Sequence, residues 1–467
     1  MNSVTGKERN KKLVKDIMLY GIGNVGSRLL AFLLIPFLTF FLEREEIGYY
    51  DLTFTLILFL TSLTTLQMRE STFRLLIDNK DATYRKNIIS CTFFIESCIF
   101  SVLLLIALFF PLFVHIRHYV LIIISIYTYS IYELYSQAVR ALYSTGKYAL
   151  MGIITSILTA LFTFSILLIF KTGIEGLFIG NILSRILSVC IIEIPRREFI
   201  RNLSVRHIKK ESIKEILHYS IPMLITAIAI GVISSCGKFI VEHLYGLEEN
   251  GSLAIVEKFM TIISVLGLTF YQAWQETAVK NFRESESSKF FSYVFNKYSL
   301  LLTLLVICVS FGLRSFAPVL IDKKFHQGVD LIYIFGIGGM FHCFAMFLEI
   351  TFQCTKQTSK ILYSILSCAI ITPIISVFLI QKYGVMGNVV AFSFSFLYLF
   401  VFRYFQTKKS LPIKLGKDFC FSMLLLVMNG FLFYGFHNSL IDYFVLFISS
   451  ISLLLYFLYM NKRFIKK

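Results

Sequence analysis

The sequence predicts an all-α polytopic membrane protein of about 14 transmembrane helices, built as two parallel six-helix repeats with two additional C-terminal helices. Three observations carry that prediction. Of 467 residues, 57% are hydrophobic and only 16% charged, at a mean hydropathy of +0.74, which is more apolar surface than a soluble core can hide. Apolar windows of about 20 residues recur along the chain. The third observation is an internal repeat, in which "DIMLYGI" (Asp16 to Ile22) aligns with "EILHYSI" (Glu215 to Ile221).

The windows begin near residues 16, 48, 88, 119, 149, 174, 216, 252, 298, 329, 361, 384, 417 and 439, with short connections between them. The opening residues "MNSVTGKERNKKLVK" are polar and basic, and no small-residue cleavage site follows the first apolar run. The first window is therefore expected to remain as a span. Each repeat copy leads into a long span and then a glycine-bearing acidic turn, "LEREEIGYYDL" in the first half and "LEENGSLAI" in the second. An even number of spans separates the copies, so the second enters the membrane in the same direction as the first. Transporters built from such parallel halves carry their substrate path between them. The expected division is 1–205 for an N-terminal six-helix lobe, 206–410 for a C-terminal one, and 411–467 for two extra spans and a basic tail.

Formal charge is +17. The basic residues fall on connections at alternate sides of successive spans, roughly 34 on one side and roughly 7 on the other, a topological bias rather than a sign of nucleic acid. Both termini are then expected in the cytoplasm. The richest inner connection is "PRREFIRNLSVRHIKKESIK" (Pro195 to Lys214), read as a topogenic loop with a surface helix, with anionic lipid as a second reading. Nine cysteines, mostly inside apolar runs and without a CxxC, read as small core residues.

A charge inside hydrocarbon costs at least about 2.5 kcal/mol, so intramembrane charges are the candidates for function. Arg28 sits about 18 Å from the inner end of span one at 1.5 Å per residue, with Gly21, Asn24 and Ala31 on its face. Arg185 lies at similar depth in span six, with Asn181 and Ser188 beside it. Lys238 and Lys258 are nearer the outer surface, within reach of headgroups. Lys238 also stands four residues before Glu242, a helical ion-pair spacing. The acidic residues in spans are Glu96, Glu133, Glu257 and Glu349: Glu96 and Glu133 suit ion pairs or proton coupling, and Glu349 is read as reaching headgroups.

Arginine forks bidentately onto phosphate and is weakly hydrated, which suits an anion in a partly dry cavity. The stretch "IYTYSIYELYSQ" adds Tyr127, Tyr129, Tyr132 and Tyr135 as sugar-stacking walls. A cargo with phosphate, sugars and an apolar tail, a lipid-diphosphate-linked oligosaccharide, fits the mixture. The eight histidines are scattered, and no HExxH, GxSxG or glycine-rich nucleotide loop occurs, so neither an enzyme nor a cofactor is expected.

The residues "NVGSRLLAFLLIPFLTFFLEREEIGYYDLTFTL", "LQMRESTFRLL", "TGIEGLFIGNILS" and "LHYSIPMLITAIAIGVISSCGKFIVEHLYGLEENGSLAIVEKF" together resemble the polysaccharide-transport family of bacterial flippases (Wzx-like). That family belongs to the superfamily that includes multidrug extruders and lipid II flippases. The likeness runs over about residues 10 to 410. It implies two six-helix lobes in a V around a central cationic cavity in the bacterial cytoplasmic (inner) membrane. It implies alternating access and an undecaprenyl-diphosphate-linked repeat unit of O antigen (hence lipopolysaccharide), capsule or a similar polymer as cargo. Polysaccharide polymerase and glycosyltransferases are the implied partners. Arg28 matches the family's basic position in the first helix, and Lys258 the one after the "GSLAIVEKF" turn. The alternatives are a multidrug or cation antiporter of the same superfamily, a membrane-bound polymerase or ligase, and a scaffold. Short outer connections argue against the polymerase, and arginines at mid-depth argue against cationic cargo.

Overall fold

The computed structural model describes residues 34, 36–79, 81–109, 117–195, 197–282, 286–355, 357–436 and 439–465, and among them there is no strand. An all-helical solution follows from the composition, because a backbone in lipid must satisfy its own polar groups within each segment. The helices are α1 (Arg44–Thr64), α2 (Met68–Asp78), α3 (Ala82–Phe109), α4 (Tyr119–Leu142), α5 (Thr145–Phe170), α6 (Ile174–Glu193) and the short α7 (Glu198–Asn202). They continue as α8 (Lys210–Tyr245), α9 (Leu247–Asn281), α10 (Ser287–Leu320), α11 (Ile332–Cys354), α12 (Thr358–Thr407), α13 (Lys417–Gly435) and α14 (Ser439–Ile465). Short 3-10 turns cover Val205–His207 and Lys323–Leu331.

Among the described residues, ten helical stretches are long and apolar enough to cross a membrane. Two windows expected near 361 and 384 fall within one of them, because α12 is two segments in line, broken at Gly384 with φ 60°. α4 is outside the ten: its C-terminal half carries tyrosines, serines, Glu133 and Arg140 in place of aliphatics. α14 contributes a shorter apolar stretch, Leu440–Tyr456. Most of the expected first span lies outside the described residues.

The chain divides into two compact units. Tyr50–Gly231 form the body of the first, and Ile35–Tyr49 with Val232–Lys467 form the second. Both changeovers fall inside helices, at the start of α1 and midway along α8. In the first unit α4 is central, packing against α2, α3, α5 and α6. Its buried core joins Met68, Leu76, Ile88, Leu134, Met151 and Ile216.

In the second unit α11 is the most enclosed helix, flanked by α9, α10 and α12. Aromatic rings fill that core: Phe270 stacks on Tyr298 at 3.9 Å, Trp274 on Phe347 at 4.9 Å, and Phe295 on Phe400 at 5.9 Å. Such pairs add about 0.5–1.5 kcal/mol each beyond the area they bury. The two repeat turns meet here. Arg44 donates to Glu249 at 3.0 Å and to Ser252 at 3.1 Å, and Asn250 donates to the Gly48 carbonyl at 3.2 Å. A Cβ on Gly48 would overlap the Leu247 carbonyl oxygen, and one on Gly251 the Arg44 carbonyl oxygen. Glycine is required at both positions because the two backbones touch.

The last two helices each pack on α10. Arg314 on α10 pairs with Asp442 of α14 at 3.1 Å and donates to the Phe433 and Phe436 carbonyls that end α13. Lys297 pairs with Asp418 at 2.8 Å near the other end of α10. One helix thus holds both additions by charge pairs separated along its length.

Candidate functional site

Arg185 organises the polar interior of the first unit. It stands on α6, whose sequence "GNILSRILS" puts Asn181, Ser184, Arg185 and Ser188 on one face at three- and four-residue spacing. The residue is only 9% exposed. Its Nη1 donates to the Asn181 carbonyl at 2.7 Å and to Asn181 Oδ1 at 3.0 Å. The guanidinium lies over the Tyr129 ring at 3.3 Å from the centroid, with Tyr132 at 5.9 Å. Asn181 is fixed in turn, donating to the Tyr50 hydroxyl at 2.8 Å and to the Leu177 carbonyl at 2.8 Å.

The hydroxyls of α6 point at α5. Thr159 donates to Ser184 at 2.7 Å, Thr155 donates to Ser188 at 2.9 Å, and Tyr132 from α4 joins Thr155 at 3.0 Å. No carboxylate pairs with Arg185 among the described residues, and its Nε has no hydrogen-bond partner. A cation–π contact in a desolvated site contributes about 2 kcal/mol, and dipoles supply the rest of the local stabilisation. Among the described residues the guanidinium is thus held by an amide and an aromatic face, the kind of setting in which arginine can meet an anion.

The carboxylates sit elsewhere. Glu133 on α4 accepts from Arg69 on α2 at 3.0 Å, and Arg69 also lies 3.5 Å from Glu70. Glu96 on α3 is 0% exposed and pairs with no cation among the described residues. In the second unit Lys238 pairs with Glu257 at 2.5 Å, and not with Glu242, because α8 and α9 bring a charge from the next helix closer than the helical neighbour. Lys258 lies half-buried beside Glu257.

The expectation that Glu349 reaches headgroups is overturned. Its carboxylate accepts from Arg403 at 3.0 Å, and Arg403 is 1% exposed. Arg403 also donates to the Ala345 carbonyl at 2.9 Å and Ser364 at 3.0 Å, while Tyr271 and Gln353 complete the Glu349 shell. Arg69 and Arg403 are the charges that the sequence reading missed. Their partners lie 64 and 54 residues away, and only packing reveals them.

Arg28 and Asn24 lie outside the described residues. Of the four tyrosines, Tyr129 and Tyr132 face Arg185. Tyr135 instead donates to Glu193 at 2.8 Å, and Tyr127 is exposed against Phe100. No group of three His, Cys, Asp or Glu able to hold a metal ion occurs among the described residues.

A family model described as "Polysaccharide biosynthesis protein" matches residues 13–275. No curated protein matches the sequence. Among solved structures, the chain is similar to an inward-closed conformation of the lipid II flippase MurJ, with a TM-score of 0.70 and 17% identity over 96% of this chain and 100% of that one. It is similar to an inward-facing multidrug resistance MATE family transporter of the MOP superfamily, with a TM-score of 0.65 and 12% identity over 88% of this chain and 98% of that one. A MOP superfamily transporter from Pyrococcus furiosus, described as having a binding pocket of reverse polarity, gives a TM-score of 0.60 at 11% identity, over 89% and 96% of the two chains. At these identities the likeness establishes the fold.

Proposed function

Since the chain belongs to the polysaccharide biosynthesis protein family, we propose that it is a flippase carrying undecaprenyl-diphosphate-linked oligosaccharide repeat units from the cytoplasmic to the outer leaflet by alternating access. O antigen, capsule or a similar surface polysaccharide is the product served. The observation that carries the reading is Arg185, a buried guanidinium held by an amide and an aromatic face with no carboxylate partner among the described residues. A diphosphate passing the site gains a charge-assisted contact that a cationic drug would not. Tyr129, Tyr132 and the α5–α6 hydroxyls supply stacking and hydrogen bonds of the kind a sugar uses. Arg28 and Asn24 are assigned to the same cargo by their family position, and Lys258 and Lys238 as a second basic group partly balanced by Glu257.

The fold is shared with a lipid II flippase and with multidrug transporters, so fold alone does not choose the cargo. Charge does. In the first unit Glu133 is matched by Arg69, and no carboxylate pairs with Arg185 among the described residues, which favours an anionic cargo. The test is delivery of lipid-linked repeat units across the membrane in a bacterial strain lacking its own flippase. Wild type is expected to restore delivery, and Arg185→Ala and Arg28→Ala, at matched expression, to lose it by about a hundredfold or more, the scale of a lost charge-assisted contact. Normal delivery by both variants would remove the diphosphate site. Failure of wild type would return the antiporter reading.

A further inference from the structure

The connection between α6 and α8 is a built surface whose chemistry belongs to neither protein core nor water. On its inner side it is pinned to the first unit. Phe199 is buried edge-on against Phe93 at 4.7 Å and Tyr135 at 5.1 Å. Ser90 donates to the Asn202 carbonyl at 3.1 Å and accepts from the Ser204 amide at 3.0 Å, while Glu193 accepts from the Ile200 amide at 2.9 Å. The Lys209 amide reaches Cys91 Sγ at 3.3 Å.

With its inner side fixed, the outer side exposes aliphatic groups outside the stretches able to span a membrane. Val205 is 84% exposed, the most exposed large hydrophobic side chain among the described residues, and Ile200 and Leu203 are exposed near it. Exposed aliphatics within the spans face lipid tails, which is no explanation for residues between spans. Interleaved with them are Arg197, Arg201 and Arg206, all exposed. Glu193, the acidic residue that ends α6, is turned inward onto Tyr135 and the Ile200 amide, and Glu198 is the one acidic residue within 197–206, which leaves the segment a formal charge of +2.

Aliphatics and cations side by side on an anchored surface match one environment, the boundary where acyl chains meet acidic headgroups. We propose that residues 197–206 form an interfacial platform that seats in the headgroup layer of an anionic leaflet, with Ile200, Leu203 and Val205 at the acyl boundary and the three arginines on lipid phosphates. The platform does not depend on which cargo is carried, and a transport failure leaves it untouched.

The experiment uses the full chain with the exposed Cys98 and Cys420 replaced by serine and Val205→Cys introduced. It is reconstituted in nanodiscs of phosphatidylcholine alone or of phosphatidylcholine with phosphatidylglycerol. Labelling by a membrane-impermeant maleimide is expected to slow about tenfold in the anionic bilayer, since each surface arginine adds an independent attraction to acidic lipid. Glu286→Cys, an exposed position outside residues 197–206, is expected to label equally in both. Arg197→Gln with Arg201→Gln and Arg206→Gln is expected to abolish the slowing while leaving the thermal unfolding of the purified protein unchanged. Equal Val205→Cys rates in the two bilayers, fast or slow, would overturn the proposal, as would a slowing that survives removal of the arginines.

Discussion

Arg185 and Arg403 are both arginines buried in helical interiors, yet their surroundings assign them opposite tasks. Arg403 is matched by Glu349 and further fixed by Ser364 and the Ala345 carbonyl, so its charge is consumed in holding α11 and α12 together. Removing one partner of a buried pair leaves an uncompensated charge and costs about 3–5 kcal/mol, whereas replacing both by apolar residues is near neutral. Glu349→Ala is therefore expected to lower the unfolding temperature sharply, and Arg403→Met with Glu349→Leu to recover most of the loss, as read by thermal unfolding in detergent. Glu96 is the complementary case, a fully buried carboxyl that pairs with no cation among the described residues. Carboxyl groups inside spans serve proton relays in transporters. We propose Glu96 as the coupling carboxyl. Glu96→Gln is then expected to keep the fold but make delivery insensitive to a collapsed pH gradient; a variant as gradient-dependent as wild type would remove coupling from this residue.

At the scale of elements, the glycine turns that reveal the repeat also form a contact. "LEREEIGYYDL" and "LEENGSLAI" read as equivalent connections, and in the second unit they press backbone to backbone with Arg44 bridging to Glu249. Gly251→Val is expected to force the helices apart at a cost of about 1–3 kcal/mol, visible as lower unfolding temperature and yield. Gly152→Ala on α5, where an added Cβ meets nothing within 4 Å, is expected to be neutral or to stabilise by up to about 1 kcal/mol. Equal effects of the two changes would show that the glycine contact does not contribute. The α13 and α14 additions illustrate the same scale. Their apolar outer faces are legible in sequence, but the Arg314–Asp442 and Lys297–Asp418 pairs that fasten them are not.

For the whole molecule the open quantity is orientation, which the bias of Lys and Arg predicts as both termini inside. Glu248, in the first turn of α9, then faces outward, and Glu286, between α9 and α10, faces the cytoplasm. A membrane-impermeant maleimide added to intact cells is expected to label Glu248→Cys and to spare Glu286→Cys until the cells are broken. The reverse pattern would invert the topology and with it the direction assigned to transport.

Much of this protein was legible without coordinates. Composition, window length and the period of the repeat dictate a multi-span helical membrane protein, because backbone groups in hydrocarbon leave no other architecture for such a chain. Arg185 and Asn181 were visible as well, since a charge and an amide on one face of an apolar helix stand out by cost alone. Tertiary structure decided what each charge meets. Arg69 with Glu133, Lys238 with Glu257 and Arg403 with Glu349 are pairs between helices, and the pairing depends on which helices pack and at what rotation. Hydropathy reports that a side chain is buried. Only the neighbouring helices determine whether it meets a carboxylate, as Arg403 does, or none among the described residues, as for Arg185.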